Sequence, residues 1–493
     1  METMYNIVNL LKLISLDRIN NSDWEEIGNI LYNINPNLLP EFILFSKQSP
    51  NYQEGQCEYL WSNMYKAIYK TSVSCLLEIA KKDNPEKYML YIADYIVEKY
   101  DQAGYLDEEI IGNMVYDIYK YEHIYIKGMG WYNYENNKWN NYTDNKYDIY
   151  DNNYTILNKF LNLVKFIVNN NNSKYQIFNK CLNYLNSKWA IRVDRINGSL
   201  KHKFTKPYEF MTLFDINRDL LGFTNGVYEI ARKYFRMGYP SDYILMSTNY
   251  EYQSYDQNDN KINEFMKIMD TIFRDKTIKE DMFKYISNCL YNKKASPTQT
   301  YHWYGNYCSG KSTVARLLFE ALGDYGGAMP QSLICGNTRD NNSETDIYGT
   351  KGKRLVIIEK DDNKINNNKL NSIMKGVKMY DRSQKLRSRY NENMKNEIYW
   401  DHYKNNDFIL GRELYNNTLL LPIHHNLIII DEAYETSKMI EENKLNHTKF
   451  ESKFTHYPST NDEIKMDPEM NDKIKNYKQI FMWLLLNKYC VDQ

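Results

Sequence analysis

Residues 305–313 read GNYCSGKST, two glycines, a lysine and three serine or threonine hydroxyls at a spacing suited to holding a row of phosphates. Gly305, Asn306, Tyr307, Cys308, Ser309 and Gly310 would offer backbone N–H groups, and the glycines let the loop turn so that those groups face inward. Lys311 would neutralise the terminal phosphates, the Ser312 hydroxyl would bind Mg²⁺, and Thr313 completes the run. A match to G-x-x-x-x-G-K-[ST] carries weight only between a strand and a helix. Both flanks comply: the aromatic strand YHWY precedes it, and Val314, Leu317, Leu318, Ala321 and Leu322 follow at helical spacing.

Such a site also needs a carboxylate at the end of a neighbouring buried strand. Two stretches offer one, LVIIEKDD at 355–362 and LIIIDEAYE at 427–435. Between 314 and 355 there is room for one helix, a loop and a return to the sheet. The first stretch then delivers its acids at a strand's C-terminal end, where open α/β sheets bind ligands. Glu359 is therefore expected to polarise the attacking water and, with Ser312, to hold the metal, while Asp361 supports the Mg²⁺ or that water. LIIIDEAYE becomes a third core strand ending beside the γ-phosphate.

The elements that must hold these residues come from a chain of 493 residues, long enough for two to four domains. With 43% hydrophobic and 25% charged residues it reads as a globular protein. Its longest apolar runs fall short of a membrane span, and the N-terminus reads as a helix, not a signal peptide. The seven cysteines are scattered without a C-x-x-C pair, so neither a disulfide framework nor a structural zinc is expected, and a reducing compartment is. A net charge of −1 excludes a uniformly basic nucleic-acid clamp. DNA contacts would have to come from local patches or from a ring of subunits. Runs such as NNNNSK and KINNNK mark loops. Helical periodicity dominates 1–125, and Trp24, Phe42, Phe45 and Trp61 read as core and not as a stacking platform. Strand-like turns gather at 128–155, a helical stretch leads into the phosphate site, and DKIKNYKQIFMWLLLNKY forms an amphipathic helix late in the chain.

Three strands in this order resemble a superfamily 3 helicase, and more closely the helicase half of the poxvirus-type primase-helicases of large DNA viruses, some phages and plasmids. The resemblance runs over most of the chain. It rests on 23–62, on MVYDIYKYEHIYIKGMGWYNYENNKW at 114–139, on LLGFTNGVYEI and FRMGYPSDYI, on KINNNKLNSIMKG, and on ILGRELYNNTLLLPIHHNLIIIDEAY. It implies a multidomain α/β chain: a P-loop, AAA+-like ATPase with a parallel sheet flanked by helices, preceded by mainly helical N-terminal domains. Boundaries are expected at 1–75 (a helical module like that following a primase), 76–258 (a pre-ATPase domain), 259–455 (the ATPase) and 456–493 (a closing helical segment).

The resemblance further implies an ATP- and Mg²⁺-dependent DNA helicase that works as a homo-oligomeric ring, a hexamer, on single-stranded or forked DNA. Pore-hairpin DNA contacts would fall on Arg412, Tyr415, His424 and His425, with basic support from 382–390. A sensor for the γ-phosphate would fall on Asp431, Glu432 or Ala433, where Ala433 stands at a position commonly polar in that family. The family's arginine finger has no counterpart, since no arginine follows Arg412; Lys444 and Lys449 are the candidate cations to take its place. Residues 1–125 hold no paired D-x-D aspartates, so priming would come from a separate primase, alongside a polymerase, or be absent. The expected setting is a viral replication compartment in the host cytoplasm, or the cytoplasm for a plasmid- or phage-encoded protein. The alternative is a nucleotide-binding replication scaffold that hydrolyses poorly, and a third reading is a helicase-loading or packaging ATPase.

Overall fold

The computed structural model describes residues 7–20, 23–64, 72–141, 156–169, 176–187, 189–291, 300–335, 352–360, 365–366, 368–370, 379–380, 420–421, 426–431 and 446–490. The chain divides into two compact units, one of Met1–Phe214 with Gly238–Leu245 and the other of Asp215–Met237 with Met246–Gln493.

The first unit is mainly helical. Asp23–Ile34 begins with three acids in its first turn, favourable at the positive end of a helix, and buries Ile27, Ile30 and Leu31 on one face. Against that face Phe42, Phe45 and Trp61 close a small core, with the Trp24 ring stacked 5.3 Å from Phe42 and its Nε1 donating to Ser46 Oγ at 2.8 Å. Phe42, Phe45 and Trp61 are core, as expected, with Trp24 half-buried against them. Longer helices follow, Val73–Asp83, Pro85–Ala103 and Glu108–Tyr119, the last capped by the Asp107 carboxylate accepting from Ile110 N. The strand-like stretch folds as an antiparallel meander, His123–Ile126, Gly130–Glu135 and Lys138–Asn141, joined in parallel by Thr205–Lys206. Its inner face packs Tyr132, Tyr134, Trp139 and Phe214.

In the second unit, helices α1 (Asn260–Ile272) and α2 (Lys276–Tyr291) lead into a five-stranded sheet. Its strands are β1 (Thr300–Tyr304), β2 (Gly326–Ala328), β3 (Leu355–Glu359), β4 (Asn426–Ile430) and β5 (Asn446–Lys449). All pairings are parallel, in the order β5-β1-β4-β3-β2. Both faces are covered, which explains why β3 and β4 read as unbroken apolar runs. On one face Leu355, Ile357, Ile428, Ile430 and Trp303 meet helix α3 (Lys311–Leu322) and helix α4 (Met470–Asn487). On the other, Val356, Ile358, Leu427 and Ile429 pack with Met329, Leu333 and Ile334. Helix α4 lies along α3, so its Phe481, Leu484 and Leu485 share a core with Val314, Leu317 and Leu318.

The start of β3 is pinned by Arg354, whose guanidinium is buried, donates to the carbonyls of Arg218 (3.0 Å), Leu220 and Leu290, and lies over the Tyr325 ring. Among the described residues no helix is long and apolar enough to cross a membrane. The parallel sheet flanked by helices, with a mainly helical first unit, is the fold class expected from the sequence.

Candidate nucleotide site at the edge of the parallel sheet

The loop between β1 and α3 follows a path that only its glycines allow. Gly305 has φ of 154°, and a Cβ there would stand 2.4 Å from the Phe450 carbonyl oxygen. Gly310, the residue that starts α3, has φ of 99° and presses against Ile272, whose Cγ2 would lie 2.8 Å from an added Cβ. Each position is strained for any other residue and short of space as well. The loop therefore ends at the positive end of a three-turn helix, where unbonded N–H groups attract anions.

Lys311 sits inside this turn, 7% exposed. Its Nζ donates to Gly305 O (2.6 Å), Asn306 O (3.0 Å) and Ser309 Oγ (3.2 Å). The amine thus fills the concavity of its own loop. Asn306, Tyr307, Cys308 and Ser312 are exposed, Thr313 is half-buried and Ser309 is buried. All seven cysteines are free thiols.

Glu359 and Asp431 arrive at the same C-terminal edge of the sheet by different routes. Register places Glu359 opposite Ile430, so Asp431 is one step further on, and its N–H donates to Trp303 O at 2.8 Å. By the alternation of strand side chains, Glu359 continues the Leu355–Ile357 face, which is the face of α3. It is exposed. Asp431 continues the Leu427–Ile429 face and is 5% exposed. There Lys360 Nζ meets Asp431 Oδ2 at 3.1 Å, and His302 Nε2 lies 3.6 Å from the same oxygen. The His302 ring continues to His447, with their Nδ1 atoms 3.3 Å apart. At the strand ends runs a polar row drawn from β5, β1, and the residues following β4 and β3, buried at His302, Lys360 and Asp431 and half-buried at His447.

The structure thus brings the 305–313 loop, Glu359 and Asp431 to one edge of the sheet. Lys449 lies in β5 opposite Tyr304, in the same sheet as the loop, and pairs with Glu451 at 3.0 Å, a contact that raises its pKa. Asp361, Glu432, Ala433, Arg412, Tyr415, His424, His425, Lys444 and the basic stretch 382–390 lie outside the described residues. Lys360 and His302 went unmarked in the sequence. A signal for Lys360 was present: it keeps the parity of Val356 and Ile358, and a lysine at a buried position requires an acid nearby. Among the described residues, no three His, Cys, Asp or Glu side chains stand together in a way that would hold a metal unaided.

No family model matches the chain. Over 372 residues it is 27% identical to the Acanthamoeba polyphaga mimivirus protein named "Putative helicase L207/L206", a span covering 72% of this chain and 38% of that protein. It is 23% identical over 400 residues to "Putative helicase 184R" of Invertebrate iridescent virus 6, covering 68% of this chain and 40% of the relative. A third relative, "Putative helicase 121R" of Invertebrate iridescent virus 3, is 22% identical over 371 residues, or 64% of this chain and 38% of its own length. Two solved structures of the apo C-terminal region of NrS-1 align at TM-scores of 0.30 and 0.32, each at 12% identity. They cover 48% and 49% of this chain and 46% and 49% of theirs, and at such scores the likeness carries no argument. The chain is similar to proteins of large DNA viruses that bear helicase names, and it spans about two fifths of the length of those relatives.

Proposed function

We propose that this chain is the motor part of an ATP-dependent DNA helicase of the superfamily 3 kind, acting in viral DNA replication. The observation that carries the reading is the phosphate loop at the start of α3, set at the edge of a parallel sheet with Glu359 open on the face of that helix. The names of the viral relatives favour the same reading.

On this proposal the Lys311 amine exchanges its three loop oxygens for those of the β- and γ-phosphates. Backbone N–H groups of 306–312 orient the phosphates, and Glu359 polarises water on the side of α3. Mg²⁺ would be held by Ser312 and Glu359 with phosphate oxygens, matching that ion's preference for few protein ligands, and would offset phosphate charge. Asp431, tied to Lys360, holds the strand end firm and occupies the sensor position together with Glu432 and Ala433. A homo-oligomeric ring, a hexamer, would move on single-stranded or forked DNA through contacts at Arg412, Tyr415 and His424. Primase and polymerase would be separate partners. The domain boundaries at 75, 258 and 455, and a replication compartment in the host cytoplasm, belong to this same proposal.

A second reading, a scaffold that binds nucleotide but turns it over poorly, is favoured by one observation. Lys449, a candidate to replace the missing arginine finger, is engaged with Glu451 beside its own loop. ATP turnover with and without single-stranded DNA separates the two. DNA-stimulated turnover that is lost in Lys311→Ala supports the motor. Nucleotide-dependent ring assembly in sedimentation without turnover supports the scaffold, and unchanged turnover in Lys311→Ala removes the site itself.

A further inference from the structure

The strand order divides the surroundings of the phosphate loop into two sides. On one side of β1 lie β4 and β3 with the acids, where the terminal phosphate and its water belong. On the other lies β5, and the chain that leaves β5 folds directly onto the loop. Phe450 N donates to Tyr304 O at 2.8 Å, and the Phe450 carbonyl fills the space where Gly305 lacks a side chain. Phe454 N donates to Cys308 O at 2.9 Å, and its ring edge comes within 3.5 Å of where a Gly310 Cβ would be. Ser452 Oγ donates to Thr271 O at 2.6 Å, joining this segment to the end of α1. A nucleotide whose terminal phosphate faces the acids must direct its sugar and base toward this second side.

That side carries an aromatic ring with nothing to do in the fold. Among the described residues of the second unit, only Tyr307 and Tyr457 are large apolar side chains left exposed, at 77% and 89%. Tyr307 is in the phosphate loop itself. Tyr457 is at the tip of the segment that braces the loop, and that tip is held in shape. Lys453–Thr455 pairs in parallel with Glu463–Lys465, and Glu463 accepts from Lys453 Nζ (2.6 Å) and from the N and Oγ of Ser459 (2.7 and 3.0 Å). Arg274, just past α1, donates to the Asp462 carbonyl and closes the base of the tip.

We propose that residues 450–463, with Thr271–Arg274, form the base-binding side of the nucleotide site, and that Tyr457 is the platform on which the base stacks. The proposal rests on the reading of 305–313 as a nucleotide loop. An open ring of this kind recognises the flat face of a base and not its edges, so it favours purine over pyrimidine by surface. Its energetic share should resemble other base–aromatic stacks, about tenfold in affinity on removal.

The test is calorimetric titration of the full chain with ADP, CDP and inorganic tripolyphosphate, each with Mg²⁺. Wild type should bind all three, ADP more tightly than CDP. Tyr457→Ala should weaken ADP about tenfold, remove the preference over CDP and leave tripolyphosphate unchanged, while Tyr457→Trp retains ADP affinity. ADP bound equally by Tyr457→Ala and wild type overturns the platform and leaves the phosphate loop standing. Equal weakening toward ADP and tripolyphosphate also overturns it, since the change would then have acted through the loop. Wild type that binds neither overturns both.

Discussion

Strands β3 and β4 carry similar apolar runs, LVII and LIII, lie side by side in parallel register, and lead into carboxylates, Glu359 at the end of β3 and Asp431 just past β4, with opposite surroundings. Glu359 ends flush with the sheet and stays in water on the side of α3. Asp431 comes one residue later, so it turns to the other face and is buried against Lys360 and His302. A single step of register decides between an acid open on the side of α3 and an acid committed to holding the sheet edge. An acid at the end of a buried strand is thus not defined by its local sequence. The face onto which its parity directs it, and the cation waiting there, define it.

The comparison breaks most visibly in turnover. On the proposed role of Glu359, Glu359→Gln keeps shape and loses the base, so ATP hydrolysis should fall by about 10²–10⁴ with ADP affinity and melting temperature unchanged. If instead Asp431→Asn stops turnover at unchanged melting temperature while Glu359→Gln does not, the two roles are reversed. The next effect lies in stability. Asp431→Asn leaves the buried Lys360 ammonium without its partner charge, and should cost about 3–5 kcal/mol in denaturant unfolding. Adding Lys360→Met to that variant removes the stranded charge and should return about 1–3 kcal/mol, measured as the coupling in a double-mutant cycle. Strict additivity would mean that the 3.1 Å contact does not hold the edge.

A half-buried acid in the first unit sharpens the contrast at smaller amplitude. Glu78 lies 3.9 Å from Lys81, which it shares with Glu122 at 3.0 Å. Burial first, and the Glu122 charge with it, raise Glu78 from 4.5 to about 7 against the pull of Lys81. Its native form therefore holds a proton that the unfolded chain has released. Stability should decline as pH rises from about 4.5 to 7, and Glu78→Gln should flatten that slope in melts taken across the window.

What could be read beforehand was local. The loop motif, the helix after it and the two apolar strands all appear where their spacing puts them, because a glycine turn and an unbroken Val/Ile/Leu run are properties of short segments. The lateral order was not legible, since nothing within LIIID says that it inserts between β1 and β3. The bracing of the loop by Phe450 and Phe454 was hidden for the same reason: those contacts join residues far apart in sequence. The engagement of Lys311 with its own loop is invisible in a motif that describes only the residues meeting a phosphate.

The packing of α4 along α3 has a consequence for how the protein is made. The phosphate loop is synthesised early in its unit, but β4, β5 and α4, which flank and cover it, come some 120 to 180 residues later. At a ribosomal rate of about 5–20 residues per second, β1 waits about 6–24 seconds and the apolar β3 about 3–13 seconds for β4, the strand that pairs with both. A parallel sheet assembled from such distant segments folds slowly by topology alone. Over that interval the nascent chain leaves the β4-facing edge of Leu355–Ile358 open, the kind of exposed apolar edge on which chains pair wrongly and aggregate.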